Sequence, residues 1–216
     1  MSPRSLFAHR SVPAGGGSVL ASPSPRRVLL LPLLAVGMFA IGTDGYVIAG
    51  LLPPMSRDLG VSESAAGQLV TVFALAYAVG APLLGIAIGG LRRRPVLVGS
   101  LTLFAATNVA AALVHSYAAM LAVRVVAALS AAVFTPAAAA VAPELVPVGR
   151  RGRALGTIGA GTAVATALGV PLGTLIGGAY GWRATFLAVA ALGVPAVVGV
   201  VALLPALPLR SPASPA

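Results

Sequence analysis

The sequence predicts an all-α membrane protein with six transmembrane helices, arranged as a 3+3 inverted repeat. Three observations carry this. The 216-residue chain is 58% hydrophobic and 8% charged, with a mean hydropathy of +1.01, and a soluble domain of this size exposes far more charge. Between residues 28 and 206 lie six apolar stretches, each close to the ~20 residues a helix needs to cross a bilayer. Two of the stretches echo each other: GAPLLGIAIGG at 80–90 and GVPLGTLIGG at 169–178. They fall in the second and fifth stretches, which run in opposite directions, and similar segments of opposite direction are the signature of inverted three-helix units in transporters. Chance recurrence in a chain with 26 Gly and 18 Pro is the competing explanation.

In chain order, residues 1–25 are rich in Ser, Pro and Gly and are expected to form a disordered cytoplasmic tail. A signal peptide is disfavoured, because the apolar run after Arg26 and Arg27 is long enough to span and lacks a small-residue cleavage site. The six-helix domain is expected over 26–207. Its spans are expected at 28–52, 65–90, 95–114, 117–142, 152–176 and 184–206, with Ser62 and Glu63 starting the second helix. Internal Pro and Gly are tolerated in membrane helices. Residues 208–216, again Pro- and Ser-rich, are expected to form a second disordered cytoplasmic tail.

All fourteen basic residues are Arg, and the net charge is +10. Nucleic-acid binding is not expected, since no basic face with interleaved aromatics exists. The arginines instead cluster on alternate connections: Arg26, Arg27, Arg92, Arg93, Arg94, Arg150, Arg151, Arg153 and Arg210 on one side, Arg57 and Arg183 on the other. By the positive-inside rule the first side is cytoplasmic, and both termini with it, in a cell (inner or plasma) membrane. Trp182 reads as an aromatic anchor at the outer interface.

Two charges break the apolar stretches. Asp44 lies about eight residues, or ~12 Å, from the outer end of the first span, and Arg124 about seven residues, or ~10 Å, into the fourth. A charge inside hydrocarbon costs roughly 2.5 kcal/mol or more, and is kept where it lines a polar path. Burial disfavours a charged carboxylate while a nearby guanidinium favours it. An Asp balanced between the two can load and release a proton, so Asp44 and Arg124 are the candidates for proton coupling. A purely structural pair, or an Asp capping a bend at Gly42 and Gly45, is the other reading.

Arg92, Arg93 and Arg94 close the second span. They act as a topology signal and headgroup contact, or as a cytoplasmic latch with Glu144, the acid at the inner end of the fourth span. Gly169, Pro171, Gly173, Gly177 and Gly178 lie on the fifth span, where small residues allow close helix approach and Pro171 frees a carbonyl and can kink the helix. Gln68, Thr71, Tyr77, Asn108 and Thr135 are neutral polar candidates for cavity contacts. There are no cysteines, and His9 and His115 are far apart. No metal site or cofactor is therefore expected, and the chain is not expected to be an enzyme. An intramembrane serine protease would need a Ser within reach of His115.

On these residues the chain resembles the amino-terminal half of a major facilitator superfamily transporter, of the drug:proton antiporter type that includes chloramphenicol-resistance and arabinose-efflux-like permeases. GTDGYVIAGLLPPMSRDLGVS at 42–62 looks like the first-span signature, LAVRVVAAL at 121–129 like the fourth-span motif around its Arg, and GVPLGTLIGGAYGWRATF at 169–186 like the antiporter motif. The resemblance implies proton-coupled efflux of small, lipophilic compounds or drugs by rocking of two six-helix halves. It gives Arg124 a part in proton transfer and the Gly–Pro segment a part in coupling. The partners implied are membrane lipid, a small-molecule substrate, protons, and a second six-helix half or a parallel homodimer. A non-transporting membrane subunit or remnant is the alternative. The connection after the second span departs from the family's pattern: Gly85, Arg93 and Arg94 fit, but Gly89 and Gly90 replace its Asp and Arg, so the usual latch lacks its acid.

Overall fold

The computed structural model describes residues 25–204, so both expected tails, except for Pro25, lie outside the described residues. The described chain forms six helices long and apolar enough to cross a membrane. The first four spans are α1 (Pro25–Leu59), α2 (Glu63–Ile88), α3 (Arg93–Leu113) and α4 (Tyr117–Val141), the last extended by a 3-10 turn at Ala142–Leu145. After a second 3-10 turn at Val148–Arg150, the fifth span comprises α5 (Arg151–Val164), a π turn (Ala165–Gly169) and α6 (Val170–Tyr180), and α7 (Trp182–Leu203) is the sixth. Short connections make consecutive spans antiparallel.

The first span is longer than its apolar run suggests. It continues through Pro53 and Pro54 to Leu59. The Ser56 hydroxyl donates to the Pro53 carbonyl at 3.0 Å, three residues back along the same helix. The helix ends where Gly60 adopts φ +66 and the Val61 N–H bonds back to the Ser56 carbonyl at 3.0 Å. This is the wrap-back bond that commonly closes a helix over a left-handed glycine. Ser62 then caps α2, its hydroxyl accepting from the Ala65 N–H at 3.1 Å, as the sequence leads one to expect.

The π turn also has a local cause. Pro171 has no N–H, and its ring crowds the carbonyl four residues back. The backbone widens before it, and the Val170 N–H reaches the Ala165 carbonyl. Isolated π turns inside α-helices occur frequently at functional sites.

Packing follows the expected internal symmetry. α1 packs on the fifth span and α2 on α4; α3 packs on α4 and α1 on α7; α3 also packs on α7. Exchanging spans one to three with four to six maps each of these pairs onto another or onto itself. The sequence echo has its counterpart in contacts. Gly80 of α2 is pressed against Leu129 and Ala132 of α4, as Gly169 of the fifth span is pressed against Thr43 and Phe39 of α1.

The seam between α1 and the fifth span is built from glycines on both sides. A methyl at Gly161 would meet the Ala35 carbonyl, at Gly173 it would fall 2.6 Å from Val47, and at Gly177 it would meet Leu51; Gly50 of α1 faces Thr174 in return. Without a hydrophobic driving force between helices in lipid, such close backbone approach is what holds spans together. The core divides into two apolar clusters along the membrane normal. One includes Leu34, Ile41, Phe104, Ala127 and Phe134. The other includes Val47, Leu51, Met55, Met120 and Phe186.

The seam predicts a contrast measurable by thermal unfolding in detergent. Gly173→Val should lose about 1–3 kcal/mol through overpacking. Gly178→Ala, where nothing lies within 4 Å, should be unchanged or slightly more stable.

Candidate functional site

Asp44 and Arg124 meet. Arg124 Nη1 donates to both carboxylate oxygens of Asp44, at 3.0 and 2.9 Å. Asp44 is 0% exposed and Arg124 1%. The helices place them so for a simple reason: both lie at similar depth on α1 and α4, and each is the polar break between the apolar clusters. Asp44 falls between Ile41 of one cluster and Val47 of the other, and Arg124 between Met120 and Ala127.

The pair is only partly satisfied. Arg124 Nε and Nη2 have no hydrogen-bond partner. The guanidinium also lies over an aromatic ring, with Cζ 4.2 Å from the Phe73 ring centroid. A desolvated cation–π contact of this kind is worth roughly 2 kcal/mol, less than the hydrogen bonds the group lacks. The pair is thus held by its mutual attraction, and it stands to lose much if either charge is neutralised: removing one partner of a buried pair costs about 3–5 kcal/mol.

Phe73 also lines a cavity of ≈ 390 Å³ formed by α1, α2, α4 and α5, so one ring touches both the ion pair and the cavity. Tyr77 stacks beside it, 6.5 Å between centroids at an interplanar angle of 11°. Tyr46, Tyr77, Thr135 and Thr162 bring hydroxyls to an otherwise apolar wall, and the buried Thr135 hydroxyl has no partner. Of the neutral polar candidates, Tyr77 and Thr135 therefore face the cavity. Gln68 instead accepts from the Tyr117 hydroxyl at 3.2 Å, Asn108 donates to the Phe104 carbonyl of its own helix, and Thr71 is exposed. Phe73 carried no polar signal in the sequence, and Tyr46, whose hydroxyl is as visible as that of Tyr77, was not singled out either.

The glycine set of the fifth span divides. Gly169, Gly173 and Gly177 face α1, with Gly173 and Gly177 also meeting Thr185 of α7. Pro171 opens α6. Gly178 faces open space. The Thr185 hydroxyl donates to the Gly173 carbonyl at 2.7 Å, tying the seam to the sixth span.

At the other end of the bundle, Glu144 forms no ion pair with Arg92, Arg93 or Arg94: among the described residues the ion pairs are Arg124–Asp44 and Arg183–Asp58. Arg94 donates to the Val201 carbonyl of α7 at 2.6 Å. A methyl at Gly85 would meet nothing within 4 Å. In this conformation the arginines and Glu144 do not form a latch.

The sequence did not reveal a clasp opposite it. Arg183 pairs with Asp58 and donates to the Val114 carbonyl at 3.1 Å, and its Cζ stands 4.2 Å over the Trp182 ring. Trp182 Nε1 donates to Asp58 at 3.2 Å. Trp182 is 4% exposed and packs edge-on against Phe186, so it is a core residue of the helix ends rather than a lipid-facing anchor. His115 is exposed and bonds to no serine among the described residues.

Known proteins share both the sequence and the architecture. The chain is 45% identical over 178 residues to a chloramphenicol resistance protein of Streptomyces lividans, covering 82% of this chain and 45% of that one. It is 36% identical over 172 residues to the inner membrane transport protein YdhP of Escherichia coli K12, covering 80% and 44%. It thus spans about half the length of the curated relatives it matches. The crystal structure of a bacterial homologue of the human lysosomal transporter Spinster, inward-facing and unoccupied, superposes with a TM-score of 0.75 at 20% identity, over 89% of this chain and 46% of that one. The Major Facilitator Superfamily profile matches residues 34–216. With six spans, an internally symmetric bundle and that match over most of its length, this multi-pass membrane protein belongs to the Major Facilitator Superfamily of transporters.

Proposed function

We propose that the chain forms one half of a proton-coupled antiporter exporting small, lipophilic compounds or drugs across the cytoplasmic membrane, with Asp44 as the proton carrier and Arg124 as its counter-charge. The observation that carries this reading is the buried pair beside the cavity. Protonating Asp44 turns a charge-assisted bond into a weaker one and leaves a buried cation without its counter-ion. The guanidinium must then move or be wetted, and Phe73 conveys that change to the cavity wall. The wall itself, aromatic and aliphatic with a few hydroxyls, suits an uncharged ligand. The glycine seam of α1 and the fifth span supplies the surface that slides, with Pro171 and the π turn as its hinge.

A second wall for the cavity comes from another six-helix half or a parallel second copy. The outward faces of α2 and the fifth span support this, with Leu75, Val79, Leu83, Leu168, Leu172 and Leu175 exposed. The orientation rests on the arginine distribution, both tails being cytoplasmic. The arginines at 92–94 and Glu144 would close a latch in a conformation other than this one.

Three outcomes are expected. In vesicles carrying the protein with its partner half, or as a dimer, an imposed pH gradient drives efflux of a lipophilic probe. Chloramphenicol is the first to try, given the relative from Streptomyces lividans. Asp44→Asn reduces this efflux to the level of protein-free vesicles, and wild-type rates in that variant would refute proton coupling through Asp44. A chain that binds the probe but transports nothing under any gradient would instead be a non-transporting subunit.

The pair's energetics are read separately by unfolding. Asp44→Asn and Arg124→Gln each destabilise by about 3–5 kcal/mol, as expected for stranding one buried charge. The double variant recovers part of that loss, and a strictly additive double variant would count against the pair.

Orientation is tested by labelling, which the absence of cysteine makes simple. Cysteines introduced at Ser5 and Ser211 should react with an impermeant maleimide only after the membrane is opened, and one at Ser64 in intact cells.

A further inference from the structure

A groove of ≈ 760 Å³ runs between α2, α3 and α4, away from the ion pair. Leu84, Ile88, Leu103, Leu129 and Val133 line it, with Arg92 at its mouth. Two serines lie in it, but neither offers a hydroxyl proton to a ligand. Ser100 donates to the Val96 carbonyl at 2.7 Å, and Ser130 to the Val126 carbonyl at 2.6 Å. Beyond Arg92 the lining is hydrocarbon in character.

The Arg92 side chain is exposed and makes no hydrogen bond or ion pair among the described residues. Its surroundings hold no compensating acid. Gly89 and Gly90 occupy the preceding turn, Glu144 pairs with none of the neighbouring arginines, and Arg93 and Arg94 add like charge.

The groove reaches from Val96 to Leu103 along α3, seven residues or ~10 Å. That is about a third of the ~30 Å hydrocarbon core, measured from its surface. An occupant must therefore be anionic at the membrane surface and apolar below it.

We propose that this groove binds one anionic phospholipid, its phosphate on Arg92 and the upper part of one acyl chain between α2, α3 and α4. The leaflet is the cytoplasmic one by the orientation proposed above; the groove and its guanidinium do not depend on that orientation. An acyl chain gains no hydrophobic energy by leaving lipid for an apolar groove. Selectivity for this lipid over its neighbours thus resides in the charge at Arg92, and the groove fixes where the lipid sits.

The test uses the full chain in mild-detergent micelles, titrated with phosphatidylglycerol or phosphatidylcholine of matched acyl chains, with retained lipid counted by native mass spectrometry. One phosphatidylglycerol per chain should be retained in preference to phosphatidylcholine. Arg92→Gln, at an exposed position, should cut that preference about fivefold, the effect of one basic residue near a charged membrane surface. Gly99→Trp places a ring where nothing lies within 4 Å, and should block retention while helix content stays unchanged. Equal retention of the two lipids, an unaltered preference in Arg92→Gln, or unaltered retention in Gly99→Trp would overturn the proposal. So would displacement by glycerol 3-phosphate alone at matched concentration, which marks an anion site without a groove. So too would a second copy seated in the groove, seen as dimers that Gly99→Trp dissociates.

Discussion

A single buried ion pair sets the terms for the rest of this bundle. Asp44 and Arg124 join α1 to α4 at the level where the core changes from one apolar cluster to the other. Among the described residues no other buried side chain is charged. The cost of holding two ions out of water is met only by their own contact, one aromatic face and no further hydrogen bonds to the guanidinium. Such an arrangement rests on charge balance more than on packing, and a change of one proton alters it more than most substitutions could.

Much of the fold was legible because membranes simplify the reading. Helices are the solution left to a chain of this length and composition once every backbone group must find a partner within its own segment, so six apolar runs became six spans. The pair was legible for the same reason, since a charge within such a run has few acceptable places. What escaped was whatever is not written in hydropathy. Pro53 and Pro54 looked like an end, yet the helix passes through them to a left-handed glycine at Gly60. Trp182 looked like an interfacial anchor, yet its indole turns inward to Asp58. Phe73 could not be told from any other apolar residue of α2, because its importance comes from what stands over its ring. Which of the fifth-span glycines face α1 depends on helix phase, and the π turn that sets the phase leaves only Pro171 as a hint.

The two ends of the bundle differ in how they are fastened. At the Arg183 end, one guanidinium binds a carboxylate, a backbone carbonyl and an indole face, joining the ends of α1, α3 and α7. At the Arg92–Arg94 end, the one fastening these arginines make among the described residues is Arg94 on the last turn of α7. With Gly89 and Gly90 in the preceding turn and no ion pair to Glu144, these arginines make few internal contacts among the described residues, and the cationic surface is left for whatever the membrane presents.

The widened turn at Ala165–Gly169 has a geometric corollary. An α-helix advances about 100° per residue and a π turn advances less, so the widened turn offsets α6 in azimuth from where ordinary winding would carry it. With that offset in place, Gly161 before the turn, Gly169 at its end, and Gly173 and Gly177 after it all meet α1. Returning the turn to ordinary winding would rotate α6 against α5 and turn its glycines relative to Val47 and Leu51.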